Sequence, residues 1–220
     1  FAQVLHSDLN AGRFLVLVTH DQRLCYSHWR PFQQKGFPAV AVGQGFEVRL
    51  GKDRRDGETL VVREVLTQCA PPDITVRSHG REAPADEPWP VGEAEFLSVL
   101  DDFHGVVVIA NRVLDGSEQS DMNVAGSLVL INCRVLGDFR WIRARFAGSL
   151  WCLNCKFDNH FSLKSGHLNG SVLMFGCDFS GAGGVSFRGL QACSLLMEFG
   201  TRGSDDMLWL NEMTLTGCLA

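Results

Sequence analysis

The residues best equipped for chemistry lie in the second half of the chain. Arg140, Arg143 and Arg145 form a basic cluster that could hold an anion. The positions 22 residues further on are Ser162, Ser165 and His167, so no arginine ladder continues. A local basic spot is the most this cluster predicts. Asp138, Asp158 and Asp178 invite comparison with hydrolytic sites, but those need carboxylates converging on one bond, and these fall in different columns of the repeat described below. Cys152 and Cys155 make one CxxC, with neither a second CxxC for zinc nor a helix start for redox work. They are expected to be core thiols. No P-loop, HExxH or nucleophile-elbow motif occurs, and no spacing singles out a Ser-His-Asp set. A protein that is not an enzyme, with no cofactor and no metal, is the expectation.

Stepping from these residues to their frame, the chain repeats every 22 residues from Gly105 to about Ala192. Blocks beginning at Gly105, Ser127, Ser149 and Ser171 align in columns: Asn111, Cys133, Cys155, Cys177; then Val113, Val135, Phe157, Phe179. A third column holds Val124, Phe146, Leu168 and Leu190, followed by Gly126, Gly148, Gly170 and Ala192. Such a period marks a stacked array in which each turn buries its apolar face against its neighbours. It is too short for a helix pair and suits one coil of short strands, as in Leu128-Val129-Leu130-Ile131. A single-stranded β-helix of about five coils over 105–220 follows. The stretches Cys155-Lys156-Phe157-Asp158-Asn159-His160-Phe161 and Cys177-Asp178-Phe179-Ser180-Gly181 resemble the pentapeptide-repeat and right-handed β-helix families. That resemblance implies a right-handed coil and specifies shape, not activity.

At 220 residues, with 45% apolar and 20% charged side chains, the chain has an ordinary globular composition. No apolar run approaches the length of a membrane span, and no signal peptide is visible. With eight cysteines and no secretory features, a reducing cytoplasm is expected. The chain opens at Phe1 without a methionine, as a piece of a longer protein would. Net charge is −5, concentrated in residues 67–104, which hold eight Asp/Glu against two Lys/Arg. Residues 1–66 hold nine Lys/Arg against seven Asp/Glu, leaving room for a basic patch.

Residues 1–66 read as a small all-β unit of OB type. Phe14–Val18, Leu24–Trp29, Phe46–Leu50 and Leu60–Val65 are strand-like, with a polar loop from Gly51 to Gly57. Gly12-Arg13-Phe14-Leu15-Val16, Cys25-Tyr26-Ser27-His28, Gly36-Phe37 and Val42-Gly43-Gln44-Gly45-Phe46-Glu47-Val48 together resemble a cold-shock domain. The resemblance implies binding of single-stranded RNA or DNA, bases stacking on exposed aromatics beside cations that follow the phosphates. It would place stacking groups at Tyr26, His28, Trp29 and Phe37, and phosphate contacts at Arg13, Arg30 and Lys35. The rival reading is a barrel that has lost this activity and serves protein interaction.

Between the two halves, 67–91 reads as a linker, with Glu82, Asp86 and Glu87 among Pro84, Pro88 and Pro90. Phe96, Leu97, Leu100 and Phe103 then follow a helical period, predicting a short amphipathic helix over 92–104 that caps the β-helix. The fold class expected is therefore all-β: an OB-type barrel, a β-helix and one capping helix. After Ala192 the register loosens, with Phe199 in the cysteine column and Trp209 in the column of Arg143, Ser165 and Phe187. The apolar stretch from Met207 to Cys218 lacks a polar cap, so it either pairs with a second copy or continues. A homodimer through this last coil is expected.

Overall fold

The computed structural model describes residues 1–8, 14–73, 76–79, 89–100, 103–180, 183–201 and 208–216. It divides into two compact units, 1–75 and 76–220. Arg13 and the acidic run of Glu82, Asp86 and Glu87 lie outside the described residues. Among the described residues no helix is long and apolar enough to cross a membrane.

The first unit contains strands β1 (Ala2–Asp8), β2 (Phe14–Thr19) and β3 (Leu24–His28), helix α1 (Arg30–Gln34), β4 (Gly45–Lys52) and β5 (Leu60–Cys69). They close as β1-β2-β3-β5-β4, with β1 returning to β4 and β3 running parallel to β5. This is the OB-type barrel the strand pattern calls for, its last strand running to Cys69 rather than 66. Strand alternation selects the inside: Leu15 and Leu17 of β2 and Cys25 of β3 join Val4, Phe46, Val62 and Val65 in one core. Pro31 in the first turn of α1 suits a helix start, and Phe32 drops into the same core.

The second unit begins where a linker was expected. Strands β6 (Val76–His79) and β7 (Trp89–Val91) precede α2 (Glu93–Leu100) and add a layer to the repeat, β6 on β8 and β7 on β9. The first full coil comprises β8 (Val106–Ala110), β9 (Arg112–Leu114), β10 (Ser117–Ser120) and β11 (Asn123–Val124). The second comprises β12 (Ser127–Ile131), β13 (Arg134–Val135), β14 (Phe139–Ile142) and β15 (Arg145–Phe146). The third comprises β16 (Leu150–Leu153), β17 (Lys156–Phe157), β18 (Phe161–Lys164) and β19 (His167–Leu168). Strands β20 (Val172–Asp178), β21 (Val185–Ser186) and β22 (Gln191–Ala192) follow, then β23 (Leu195–Thr201), β24 (Leu208–Trp209) and β25 (Thr214–Leu215). All pairings between coils are parallel, so four turns carry the chain through five layers.

The columns need two corrections. The first coil is one residue shorter: Leu114 pairs with Val135, and Asn111 lies over Asn132 rather than Cys133. The fourth coil is longer between β20 and β21, so Phe161 pairs with Val185, and Ala192 rather than Leu190 continues the column of Val124, Phe146 and Leu168. Trp209 consequently lies beside Ser186, in the column of Arg140 and Ser162, and not in that of Arg143. The cysteine column itself is interior: Cys133, Cys155 and Cys177 are buried, and Phe199 does continue it.

Aromatic ladders fill the space beside the thiols. Phe139 stacks on Phe161 at 5.3 Å and Phe157 on Phe179 at 4.9 Å between ring centroids. The buried Trp141 donates its Nε1–H to Ser117 Oγ one coil away, at 2.9 Å. Helix α2 adds Phe96, Val99 and Leu100 to this core, Phe96 stacking on Trp141 at 5.9 Å. Glu93 fixes the helix start, accepting from Glu118 N at 2.9 Å and Gln119 Nε2 at 3.0 Å.

One corner requires glycine by close approach. A Cβ at Gly126 would overlap the carbonyl oxygen of Gly105, and one at Gly148 would overlap Ser127 Oγ, which accepts from Ser149 N at 3.0 Å. Gly126→Ala is expected to destabilise the second unit by about 1–3 kcal/mol, the usual range for forcing an extra methyl into a packed site. Gly183, whose Cβ would meet nothing within 4 Å, should tolerate alanine within about 0.5 kcal/mol. Urea unfolding of the two variants measures the difference, and equal midpoints would refute the close-approach argument.

Candidate functional site

The barrel residues expected to bind a single strand do not assemble as one open platform. Trp29 stacks on Phe32 at 6.2 Å and belongs to the barrel core. Phe37 packs against that core, edge-on to Phe46 at 5.2 Å. Both correct the expectation of exposed stacking rings: the turn after β3 and the segment after α1 drive them inward, where apolar area leaves water. Tyr26 and His28 share one side of β3, opposite to Cys25, with their rings edge-to-face at 6.2 Å. Tyr26 is buried, and its hydroxyl accepts from Arg55 Nη2 at 2.9 Å; His28 is exposed.

The same Arg55 nitrogen donates to Asp53 Oδ2 at 2.9 Å. Burial pushes the Asp53 carboxyl up, but hydrogen bonds and charge from Arg55 outweigh it and hold the group below the usual carboxylate range. Among the expected phosphate contacts, Arg30 is exposed at the start of α1. Lys35 shares Glu64 with Arg49, at 3.7 Å and 3.0 Å. The local cations thus face a carboxylate already in place.

The solenoid groups singled out for chemistry are mostly absorbed by its stacking. Arg143 makes a bidentate pair with Asp121 of the previous coil, both bonds 2.6 Å. Asp158 accepts from Arg134 at 2.6 Å, and Asp178 accepts from Ser180 N at 2.8 Å. Cys152 and Cys155 of the CxxC are both buried, free thiols, each pushed up by desolvation. Among the described residues no His, Cys, Asp and Glu cluster could hold a metal.

What the sequence did not reveal is a site on the outer face of the sheet β10-β14-β18-β21-β24. A shallow depression of about 380 Å³ is lined there by Arg140, His160, Lys164, Arg188, Trp209 and Asn211, with Ser162 and Ser186 between them. Side chains alternate along each strand: Phe139, Trp141, Phe161 and Leu163 point to the core, so Arg140, Ile142, Ser162 and Lys164 point out. The register, carried on by the bond from Ser165 N to Arg188 O at 2.7 Å, sets Arg188 beside Lys164. Neighbouring strands lie about 4.8 Å apart, which sets Lys164 and Arg188 side by side, with Arg140 on the preceding strand two residues back, in the column of Ser162.

Two of these cations have weak partners. Arg140 Nε lies 3.2 Å from Asp138 Oδ2, and Arg188 Nε lies 3.6 Å from Glu212 Oε2. Such half-exposed pairs contribute little and exchange readily. Lys164 has no carboxylate within ion-pair distance among the described residues. His160 lies against Trp209, ring centroids 5.8 Å apart and tilted by 48°. Partial burial first, and the Arg140 charge second, lower its pKa from the ordinary imidazole value against the opposing pull of Asp138. The depression can therefore hold negative charge along the cations and a flat apolar group against the indole.

The spacing signal for this site was hidden by a change of register. Arg140 pairs with Ser162 at the regular 22 residues, whereas Lys164 meets Arg188 only through a coil of 24, which a fixed 22-residue alignment cannot show.

No known family, curated protein or solved structure matches this chain. The cold-shock and pentapeptide-repeat likenesses accordingly stand on the residues that carry them.

Trp29→Ala is expected to destabilise the barrel by about 3–5 kcal/mol, as truncating a buried ring does. Arg30→Ala, on the exposed helix start, should stay within about 0.5 kcal/mol. Urea denaturation of both variants distinguishes a core tryptophan from a surface one; an unchanged midpoint for Trp29→Ala would restore it to the stacking set.

Proposed function

We propose that this protein is a non-catalytic binding protein that holds an anionic ligand on the open face of its solenoid. The observation that carries the proposal is the convergence of Arg140, Lys164 and Arg188 on one depression, with Lys164 left without a carboxylate partner among the described residues. The other polar side chains lining the depression are Ser162, Ser186, Asn211 and His160, and the carboxylates of Asp138 and Glu212 stay outside that lining. Three cations on rigid strands offer a polyanion fixed charges at little cost in ordering, the arrangement that gives affinity without chemistry.

The nucleic-acid partner expected of the barrel becomes, in this proposal, a partner of the solenoid. Trp29, Phe37 and the buried Tyr26 are withdrawn from the barrel's stacking set, which leaves His28 there.

If the solenoid face binds a polyanion, three neutralised charges give a log–log salt slope of about −2, using about −0.7 per contact for a flexible strand. The Arg140→Gln/Lys164→Gln/Arg188→Gln variant should bind at least about tenfold more weakly at low salt, each lost charge-assisted contact being worth about 1.5 kcal/mol or more. Anisotropy titrations of a labelled polyanion between about 50 and 200 mM salt measure both quantities. Equal affinity of wild type and triple variant would end this reading.

A second reading, assembly through the last coil, is favoured by an open edge. Among the described residues β23, β24 and β25 each pair on one side only, with β20, β21 and β22. Unpaired strand edges recruit further strands, so this edge is where the expected homodimer would join. Sedimentation velocity over a concentration series should show a monomer–dimer shift that Leu215→Pro abolishes, since Thr214 N and Thr216 N bond inward to the previous coil and the N–H between them faces the open edge; a concentration-independent monomer would remove the dimer.

A further inference from the structure

We infer that the ligand of the solenoid face is single-stranded nucleic acid, its phosphates on Arg140, Lys164 and Arg188 and one base on Trp209. The inference rests on the anion-binding reading above and adds to it the recognition of a ring.

Three observations carry the addition. First, Trp209 is half-buried at the rim, in the same outward column as Arg140, Ser162 and Ser186. Its indole is supported by the His160 ring at 5.8 Å, and a supported ring keeps its orientation when a base lands on it. A stacking platform needs a fixed π-face with one side open, because every base has a π-face of its own. Second, Lys164 and Arg188 form a neighbouring outward column, two residues further along than Ser162 and Ser186, while Arg140 stands at the far end of the column that leads to Trp209. A ligand with charge along one edge and a flat apolar group along the other matches this layout, and a strand with its bases unstacked is such a ligand. Third, the depression, about 380 Å³, is only partly enclosed. A site that encloses a small molecule buries most of its surface; an open trough on a sheet lets a polymer enter and leave at both ends. Ser162 and Ser186 supply hydrogen-bonding groups between Arg140 and Trp209 in their shared column, and Asn211 lines the same depression.

A ring-free polyanion of similar charge would use the cations and leave Trp209 idle. That difference makes the inference testable separately from the reading it rests on. The full chain is titrated with a fluorescein-labelled single-stranded DNA dodecamer, and with inorganic polyphosphate of matching charge as competitor. Wild type is compared with Trp209→Ala, Trp209→Phe and Lys164→Gln, each checked for an unchanged thermal midpoint. We expect Trp209→Ala to weaken the oligonucleotide at least about fivefold, the lower end of one lost stacked base, and to leave polyphosphate unchanged. Trp209→Phe, which keeps a ring, should remain within about threefold of wild type, so a loss caused by misfolding of the alanine variant is recognised. Lys164→Gln should weaken both ligands alike. If Trp209→Ala leaves oligonucleotide binding unchanged while Lys164→Gln weakens both ligands, the anion site stands and the base on Trp209 is wrong. If neither ligand binds wild type at low salt, the anion reading itself fails, and this inference with it.

Discussion

The second unit depends on one constraint: each coil must satisfy its backbone groups on the coils beside it while turning the same corners at the same heights. Parallel strands alone cannot do this, and at two bends of each coil the chain turns by visiting the left-handed region. Two corners meet the demand by repetition. Asn111, Asn132, Asn154 and Gly176 take positive φ at one, between 51° and 62°. Asp121, Arg143, Ser165 and Gly189 take it at the other, between 54° and 70°. Asparagine and aspartate tolerate this conformation because their short side chains bond locally, and glycine because it has no Cβ. Asn132 Nδ2 donates to Asn111 Oδ1 at 3.2 Å, so the residues that permit the turn also join the coils.

Arg143 is the exception that shows the corner's rank over side-chain preference. An arginine in the left-handed region is unfavourable, yet its guanidinium grips Asp121 of the preceding corner with two bonds of 2.6 Å. That engagement holds the Asp121 carboxyl below its usual range, the Arg143 hydrogen bond being the leading cause. The arginine cluster that drew attention in the sequence is thereby split. Arg143 serves the corner, and Arg140 alone of the three lines the depression.

Much of this architecture is legible in the residues because the period is carried by buried side chains. A cysteine, a phenylalanine and a small residue can each stack only on their like at the same height, so Cys133, Cys155 and Cys177 announce the coil. The barrel is legible through the unbroken apolar run of β2 and the alternation of β4. The sheet segments β6 and β7 were not: they are short, separated by a proline-rich acidic stretch, and gain strand geometry by pairing with β8 and β9. Their tertiary partners, not their own propensities, make them strands. Trp29 and Phe37 misled for a related reason. A barrel this small needs large rings inside, and an aromatic in a binding motif and an aromatic in a core look identical in sequence.

The candidate site was illegible for a more specific reason, and that reason bears on how such surfaces arise. Core columns tolerate no drift, since a shifted ring would meet a gap; outward positions carry no such obligation. Two extra residues between β20 and β21 are absorbed at a corner and leave the core pairing intact, with Phe187 still buried beside Phe161 at 5.7 Å. On the outside the same insertion moves Arg188 next to Lys164, and a next coil of 23 residues brings Trp209 under Ser186. A regular repeat of 22 would have set Ser186 and not Arg188 against Lys164, and would have carried the column of Arg140 and Ser162 on through Gly184 and Asp206, with no indole. The irregularity that blurs the repeat near its end is thus what assembles the cations and the ring on one face. A solenoid keeps its fold through the columns inside and can acquire a binding surface through a register slip that only the outside feels.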